Sequence, residues 1–345
     1  MKNLFLLSTL LVLSLMARSQ NTFSISEGES AIVYSLPKTV FCIEVETEKV
    51  TQKPGMFYRY SDRYLATNKV ITEEKTNYRI KSIQVKTRAV PDPTRTYSFA
   101  PSSALQTSRI SINSQGILCG VNVACESVPV SPQTSNIVVK DNLNQDVLLP
   151  LGEDYMMAGS EAKLAEGAAK QIYHIRESRL NLLTADVDKL PADGESFRTM
   201  MDGLNKQEAK LTELFIGQTT TETQTQTLYV TPTASMNNEV LFRLSALKGI
   251  VASDDLSGAP YYISLIPSKI QTATDSKSKS EKAGLYSVLP ASTQLSIGDG
   301  INTLYSNQFF VPQFGKTVTL PESLFKQPHM KVRIDSQTGR LLSIE

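Results

Sequence analysis

Two side chains near the middle of the chain are of the types that transfer protons. His174 and Glu208 lie in successive stretches with helical periodicity, and an antiparallel hairpin of these helices would place Glu208 opposite residues 170–174. A carboxylate and an imidazole in hydrogen-bonding contact could act as general acid and base. We favour a polar pair at the rim of the hairpin, because charges are seldom buried without partners. No catalytic residue is therefore predicted.

An aromatic cluster between residues 56 and 65 offers a possible binding surface. It consists of Phe57, Tyr58, Tyr60 and Tyr64. Flat rings match the apolar faces of sugars, so the cluster could be a platform on which a carbohydrate stacks. Its helical spacing is explained as well by a short helix packed on a sheet, and the periodicity favours that second interpretation.

A row of glutamates could be mistaken for a metal or sugar site. Glu44, Glu46 and Glu48 alternate with apolar residues, which is typical of the solvated face of a half-buried antiparallel strand. We expect basic residues of a neighbouring strand, Arg79 and Lys81, to neutralise this row. The alternation in that neighbour slips near residue 82, as a β-bulge would cause.

The three cysteines allow one local crosslink. Cys119 and Cys125 are close enough for a disulfide if the chain turns between them, whereas a straight strand would leave them, like Cys42, as small buried hydrophobes. Neither the cysteines nor the two histidines have the spacing of zinc ligands. Asp254 and Asp255 lack the regular spacing of a calcium loop and fit a capped turn better. We predict no metal and no other cofactor.

Signatures of known enzyme classes are absent from the sequence. Ser160 and Lys163 have the Ser-x-x-Lys spacing of penicillin-binding enzymes, but the same spacing recurs four more times and no Lys-Thr-Gly partner exists. No nucleophile elbow, phosphate loop, dinucleotide fingerprint or zinc-protease pair is present. Glycosidases need only two carboxylates and leave no local signature, so a hydrolase of this class stays open.

Residues 160–217 form the predicted central element, which would position His174 and Glu208. They contain two amphipathic stripes separated by a short turn at residues 190–194, which predicts two antiparallel helices. Ser160 and Asp193 are expected to cap the two helices at their N-termini, and Gly217 is expected to end the second.

Strand patterns occupy both flanks of the hairpin. Alternation over residues 40–49 and hairpins over 104–123 and 331–344 predict antiparallel sheets. Residues 219–227 alternate threonine with other polar residues, which indicates an edge strand that could also bind another strand. Residues 268–282 are expected to form an exposed loop. The predicted fold class is α+β, with mostly antiparallel β sheets, sandwich-like or paired, and a central antiparallel helical hairpin.

The N-terminal residues resemble a signal peptide. Lys2 precedes an apolar run over residues 4–15, and Ala17 and Ser19 provide a small-x-small cleavage site. Removal of Lys2 and Arg18 would change the formal net charge from +1 to −1, so no clustered basic surface for nucleic acid is expected. No other apolar run approaches the roughly 20 residues of a membrane span. We therefore predict export to the periplasm or the cell exterior, with no integral membrane span.

These patterns together divide the chain into five parts. The predicted parts are a signal peptide (1–19), an N-terminal β-rich domain (20–130), a linker or strand (131–159), the helical hairpin (160–217) and a C-terminal β-rich domain (218–345). A short internal echo, YSLP at residues 34–37 and YSVLP at residues 286–290, could mark two related β-units on either side of the hairpin.

Six segments carry a resemblance to a known family. They are YSLPKTVFCIEV (34–45), KPGMFYRYSDRYL (53–65), VITEEKTNYRIKSIQV (70–85), IRESRLNLL (175–183), residues 191–217 and PQFGKTVTLP (312–321). With these segments the chain resembles the domain of unknown function 4831 family of exported Bacteroides-type proteins. The resemblance implies a Gram-negative envelope and a shared fold, and it implies no activity.

The leading functional prediction is an exported cell-envelope protein that acts as a non-catalytic binding or scaffold protein. Its partner would be an unknown envelope protein or a glycan. One alternative is a carboxylate-dependent glycan hydrolase. Another is a helix-mediated assembly module, in which Phe197 and Met201 would contact another chain.

Cleavage of the leader is directly testable. Expression of the whole chain in a Gram-negative host should yield an exported form that begins at Gln20, because cleavage follows the small residue Ser19. Intact mass spectrometry of the periplasmic fraction measures this. Ala17→Lys should leave the precursor uncleaved, and an exported wild-type form that retains Lys2 would contradict the prediction.

Overall fold

Three antiparallel sheets and a helical hairpin make up the described part of the chain. The computed structural model describes residues 32–99, 110–125, 155, 157–186, 193–268, 284–321 and 329–345. The predicted signal peptide, most of the predicted linker and all but the first residue of the predicted loop 268–282 lie outside these ranges. Among the described helices, none combines the length and the hydropathy that crossing a bilayer requires.

Every pairing between the named strands is antiparallel, which confirms the predicted fold class. The first sheet contains, in spatial order, β2 (Lys75–Phe99), β1 (Ile32–Lys53) and β5 (Gln218–Val230). The second sheet contains β10 (Thr303–Pro321), β9 (Gly284–Gly298), β8 (Ala259–Pro267), β6 (Met236–Ser245) and β7 (Gly249–Val251). The third sheet contains β12 (Leu341–Ile344), β11 (Val332–Ile334), β4 (Leu118–Val121) and β3 (Ile110–Ile112).

Strand pairing crosses the predicted division near residue 130. The first sheet joins β1 to β5, and the third sheet joins β4 to β11. Segments that flank the helical hairpin in sequence are therefore hydrogen-bonded to each other. The division into N-terminal and C-terminal domains stays a prediction, and both sides of it share sheets.

Strand β1 is long enough to contribute to two hydrophobic cores. Its first residues, including Tyr34 and Leu36, pack with β4, β9 and β11. Further along, Phe41, Ile43 and Val45 pack between the first and second sheets. The buried positions thus change from even to odd numbers between Leu36 and Phe41. Even and odd positions of a regular strand face opposite sides of its sheet, and the pairing of β1 with β2 also has an irregularity between these two groups of residues.

The irregularity is a register break that the two long hairpins share. In the β1–β2 pair, residues 92–95 of β2 lie opposite Leu36, between the partners Ser35↔Thr96 and Pro37↔Pro91. In the β9–β10 pair, residues 312–315 of β10 lie opposite Pro290. Each break therefore places four residues opposite one, and each lies in one of the two echo sequences. The two echo sequences thus each contain a four-to-one break, at the leucine in the first and at the proline in the second.

The two breaks contact each other across the sheets. The Tyr286 backbone N–H donates a hydrogen bond to the Tyr34 hydroxyl oxygen at 2.7 Å, and the Tyr286 ring stacks on Tyr97 with centroids 4.3 Å apart. Burial raises the pKa of Tyr34 to about 12, so its hydroxyl stays neutral. The Gln313 side chain bonds both the N–H and the C=O of Thr39, at 3.0 and 2.9 Å.

A buried ion pair holds the β2 break in place. Arg95 donates from Nε to Asp92 at 2.7 Å and from its two Nη atoms to the carbonyl oxygens of Pro312 and Pro37, at 3.0 and 3.2 Å. The Asp92 and Arg95 side chains are only 6% and 16% exposed. Burial alone would raise the pKa of Asp92, but hydrogen bonds from Thr94 and Arg95 outweigh burial and hold that pKa below its usual range.

Charged pairs cover the outer face of the first sheet, as the sequence predicts. Arg79 bonds Glu48 and Lys81 bonds Glu46, and the predicted bulge lies between the pairs Glu46↔Ser82 and Thr47↔Ile80. Hydrogen bonds from Lys81 and Ser82 lower the pKa of Glu46. A third pair, between Lys86 and Glu44 at 2.8 Å, was not predicted. The glutamate row is therefore a salt-bridged face of the sheet.

The helices form where the sequence places them. A 3₁₀ turn (Tyr58–Tyr60) runs into the short helix α1 (Ser61–Leu65), and the hairpin consists of α2 (Glu161–Thr184) and α3 (Gly194–Ile216). Side chains of Ser160 and Asp193 accept backbone N–H groups at the two N-termini, and Gly217 ends α3 with φ +89°. Small residues of α2, namely Ala165, Ala168 and Ala169, allow close packing.

Loss of the Arg95 side chain should destabilise the whole fold. Arg95→Met leaves the Asp92 carboxylate buried without its cation, and removal of one partner of such a pair costs about 3–5 kcal/mol. Chemical denaturation of the mature chain measures this change. Asp92→Asn combined with Arg95→Met should cost less than Arg95→Met alone, because no charge is left unpaired.

An exposed pair provides the matched control. Lys86→Met removes the cation of Glu44 but should cost less, about 1 kcal/mol, since the Lys86 side chain is 52% exposed and water reaches the pair. Equal effects of Arg95→Met and Lys86→Met would show that the buried pair is not what holds the break.

The buried pair should also make the stability depend on pH. Because the folded-state pKa of Asp92 is lowered, its contribution to stability is present above the unfolded-state pKa and is lost as the pH falls through the folded-state pKa.

Candidate functional site

Glu208 lies between two arginines and not beside a histidine. Arg176 donates from Nε to Glu208 at 2.6 Å, and Arg179 donates to the other carboxylate oxygen. His174 is exposed, and the described hydrogen bonds and ion pairs of Glu208 are with Arg176 and Arg179. The predicted position opposite residues 170–174 is corrected to residues 176–179, because helical side chains point back towards the N-terminus and long arginines reach further still. Two salt bridges therefore join α2 to α3.

The aromatic cluster packs on the helical hairpin. Phe57 is wholly buried against α2 and α3, with its ring 5.5 Å from that of Phe215. The Tyr60 and Tyr64 rings are 6.3 Å apart and tilted by 37° to each other, and the Tyr64 hydroxyl donates to the carbonyl oxygen of Ala162. The interpretation as a short helix holds, but its support is the helical hairpin and not a sheet.

Most of the other predicted residues lie in a disulfide, in a buried position or in a turn. Cys119 and Cys125 form a disulfide with Cα atoms 5.5 Å apart, and Cys42 is a buried free thiol whose pKa burial raises. Asp255 caps its own turn through the Ser257 N–H at 2.9 Å. In the described ranges no group of three or more potential metal ligands comes together. Phe197 and Met201 are half-buried on α3, and whether they contact another chain stays a prediction.

A polar pocket lies on the outer face of the second sheet, where β9 turns into β10. Its volume is about 130 Å³. Typical pockets for drug-sized ligands occupy roughly 300–1,000 Å³, so this one would admit a single ring or a small side group. The lining residues are Asn238, Tyr262, Ser264, Ser296, Ile297, Gly298, Gly300, Ile301, Asn302 and Thr303.

Cross-strand pairing assembles one wall of this polar pocket. Ser264 of β8 lies opposite Ser296 of β9, so both hydroxyls project from the same face. On the β6 side, the Asn238 N–H donates to Ser264 Oγ at 2.9 Å, and Ser264 Oγ donates back to Asn238 Oδ1 at 3.1 Å. Asn238 adopts a left-handed conformation with φ +51°, which asparagine tolerates better than most residues.

Tyr262 and the β9–β10 turn form the other wall. Gly300 has φ +91°, and a Cβ at this position would lie 3.2 Å from the Tyr262 ring, so glycine allows the turn to pass close to the ring. Asp299 holds the turn, since its carboxylate accepts from the N–H groups of Ile301 and Asn302 at 2.8 and 2.6 Å. These hydrogen bonds, with one from the Asn302 side chain, lower the pKa of Asp299.

The pocket offers uncharged hydrogen-bonding groups beside an aromatic ring. The hydroxyls of Tyr262, Ser296 and Thr303 make no hydrogen bond within the described part of the chain, so they are available to a ligand. None of the described lining residues carries a charge. Hydroxyls and amides can both donate and accept, which suits a neutral ligand rich in hydroxyl groups.

Sequence reasoning missed this site for a physical reason. Its polar groups come from β6, β8, β9 and the β9–β10 turn, so no local spacing connects them. The available signal was the alternation of polar residues in two strands, Tyr262 with Ser264 and Gln294 with Ser296, which marks an outward polar face. The register of the two strands was needed to show that these residues are neighbours.

Comparison with known proteins gives a match at the level of a family. The family model described as "Domain of unknown function (DUF4831)" matches residues 30–342. No curated protein matches the chain, and no solved structure matches it. The family match spans all three sheets, the helical hairpin and the polar pocket.

Acid should loosen the turn beside the pocket. The lowered pKa of Asp299 means that its hydrogen bonds stabilise the turn above the unfolded-state pKa and are lost as the pH falls through the folded-state pKa. Hydrogen exchange at the amides of Ile301 and Asn302, corrected for intrinsic rates, should therefore accelerate relative to that of Asn238 under acidic conditions. Asp299→Asn should remove most of this pH dependence. A turn that responds to pH equally in both proteins would contradict the assignment.

Proposed function

Because this chain belongs to the family of the domain of unknown function DUF4831, whose description names no activity, we propose its function from the geometry of the polar pocket. The mature protein is an exported, non-catalytic binding protein of the cell envelope, and the polar pocket holds one unit of a neutral glycan. The observation that carries this proposal is the combination of free hydroxyls, an amide and the Tyr262 ring around an uncharged cavity.

The size and chemistry of the pocket support a saccharide unit. A sugar ring presents hydroxyls that exchange hydrogen bonds with Ser296, Thr303 and Asn302, and it presents C–H groups that can pack on Tyr262. A volume of about 130 Å³ suits a terminal or side unit of a glycan better than a segment of its main chain. The outer sheet face around the pocket continues with Gln294 and Ser306, which bond each other at 2.7 Å.

The state of the carboxylates supports binding without catalysis. Glycoside hydrolysis needs two carboxyl groups on either side of the scissile bond. Glu44, Glu46 and Glu48 are each paired with a cation on the first sheet, and Glu208 is bound by two arginines. Asp299 is the carboxylate beside the polar pocket, and its oxygens are held by the turn.

Export belongs to the same proposal. Its support is the leader-like sequence of residues 1–19, with cleavage near Ser19. The disulfide between Cys119 and Cys125 also supports it, because disulfides persist in oxidising compartments such as the periplasm.

Titration with neutral sugars tests the pocket. Hexoses, N-acetylhexosamines and their oligomers are added to the mature protein, residues 20–345, and backbone chemical shifts are followed by NMR. We expect shifts at Ser296, Asn302 and Thr303. Ser296→Ala and Thr303→Ala should each weaken binding by roughly two- to tenfold, as expected for the loss of one hydrogen bond. Tyr262→Ala should weaken it further, because the ring surface is lost.

A residue on the same sheet face supplies the control. Gln308 is exposed outside the pocket, so Gln308→Ala should leave affinity unchanged. An affinity that is unchanged in Tyr262→Ala, or no shift with any member of the panel, would contradict the proposal. The same mixtures are assayed for new reducing ends. Product release that disappears when a carboxylate is changed would establish the glycan hydrolase instead.

A further inference from the structure

Strand β5 ends the first sheet with a long open edge. It contains 13 residues, and it pairs with β1 along its whole length from Phe41↔Val230 to Lys53↔Gln218. Within the described ranges, no strand pairs with its other side. Alternate backbone N–H and C=O groups of β5 therefore point away from the sheet, and such a row is a template for another strand.

Most other sheet edges carry a protection that β5 lacks. Edge strands are usually kept from pairing by prolines, bulges, lysines or short length. Strands β2 and β10 contain prolines and register breaks, while β3, β7 and β12 have only three or four residues. Strand β5 contains no proline and no lysine, and its pairing with β1 has no register shift. Its single charge, Glu222, is paired with Lys49 at 3.2 Å.

The sequence of β5 is compatible with itself in an antiparallel pair. A two-fold axis at Gln224, the midpoint of the strand, allows all 13 residues to pair. Thr223 then lies opposite the partner's Thr225, and Thr221 lies opposite the partner's Thr227. Threonine pairs of this kind stabilise antiparallel sheets. Glu222 lies opposite a glutamine, so no like charges face each other.

We propose that β5 pairs antiparallel with β5 of a second copy of this chain, about a two-fold axis at Gln224. The two first sheets then form one continuous six-stranded sheet in the order β2-β1-β5-β5-β1-β2. Tyr229, which is 62% exposed, packs across the strands on the partner's Thr219. The interface is isologous, as in most soluble dimers. The polar pocket lies on the second sheet, so this inference does not depend on the proposed function.

Disulfide crosslinking tests the axis. Residues at the axis of an antiparallel pair have Cα atoms about 4.5–5.5 Å apart, which a disulfide can bridge. Gln224→Cys in the mature chain should therefore give a covalent dimer on non-reducing electrophoresis after mild oxidation. Gln226→Cys is the matched control, because its two copies would be displaced by four residues, about 13 Å along the strands. No crosslink at residue 224, or an equal crosslink at residue 226, would overturn the proposed register.

Charge substitutions test the interface without a crosslink. Thr221→Lys with Thr227→Lys places like charges opposite each other twice and should weaken the dimer by roughly two- to thirtyfold. Thr221→Glu with Thr227→Lys changes the same positions but makes two opposite-charge pairs, so it should retain the dimer. Within one chain these positions face Val50 and Glu44, so neither double variant introduces a clash of like charges between strands.

Sedimentation velocity over a concentration series is the measurement for these variants. A wild-type protein that stays monomeric at every concentration, as it would if β5 served another protein, would overturn the proposal. So would a dimer that both double variants form equally well. Circular dichroism checks that the double-lysine variant is folded, and the Gln224→Cys crosslink decides the case if that variant unfolds.

Discussion

The fold depends on one geometric constraint, the alternation of side chains along two very long strands. Even and odd positions of a regular strand face opposite sides of its sheet, so one long strand can pack into two cores. Strand β1 has Tyr34 and Leu36 in one core and Phe41 and Ile43 in the next, and β9 contributes Leu285 and Val288 to the first core and Leu295 and Ile297 to the second. In both hairpins a register break places four residues of the partner strand opposite one residue of a Leu-Pro sequence.

Buried polar groups make this irregularity stable. A register break leaves backbone groups without ladder partners, and these groups must be satisfied by other means. Arg95 bonds the carbonyl oxygens of Pro37 and Pro312, and Gln313 bonds both backbone groups of Thr39. Side chains at each break thus bond backbone groups on a strand of the other hairpin. Asp92 keeps the arginine charge compensated inside this junction.

Several charges in the described ranges stabilise the architecture, whereas the lining of the polar pocket carries no charge. Cations on β2 neutralise the glutamates of β1, two arginines fix Glu208 between the helices, and Asp299 holds a turn. The polar pocket and the β5 edge both occur where regular pairing stops. Among the described residues, hydroxyl groups have no partner at the first, and a row of backbone groups has no strand partner at the second. The proposed functions use these two kinds of free group.

The sequence by itself determined the elements whose cause is local. Capping by Ser160 and Asp193, the end of α3 at Gly217 and the paired glutamate row all follow from spacing within a helix or between neighbouring strands. Only the tertiary structure decided the rest. These contacts join segments that are distant in sequence. They are the bonds of two arginines to Glu208, the packing of Phe57 on the helices, and the pocket lined by Asn238, Tyr262, Ser296 and Asn302. Such contacts depend on strand register and on the reach of side chains, and neither has a local pattern from which it could be inferred.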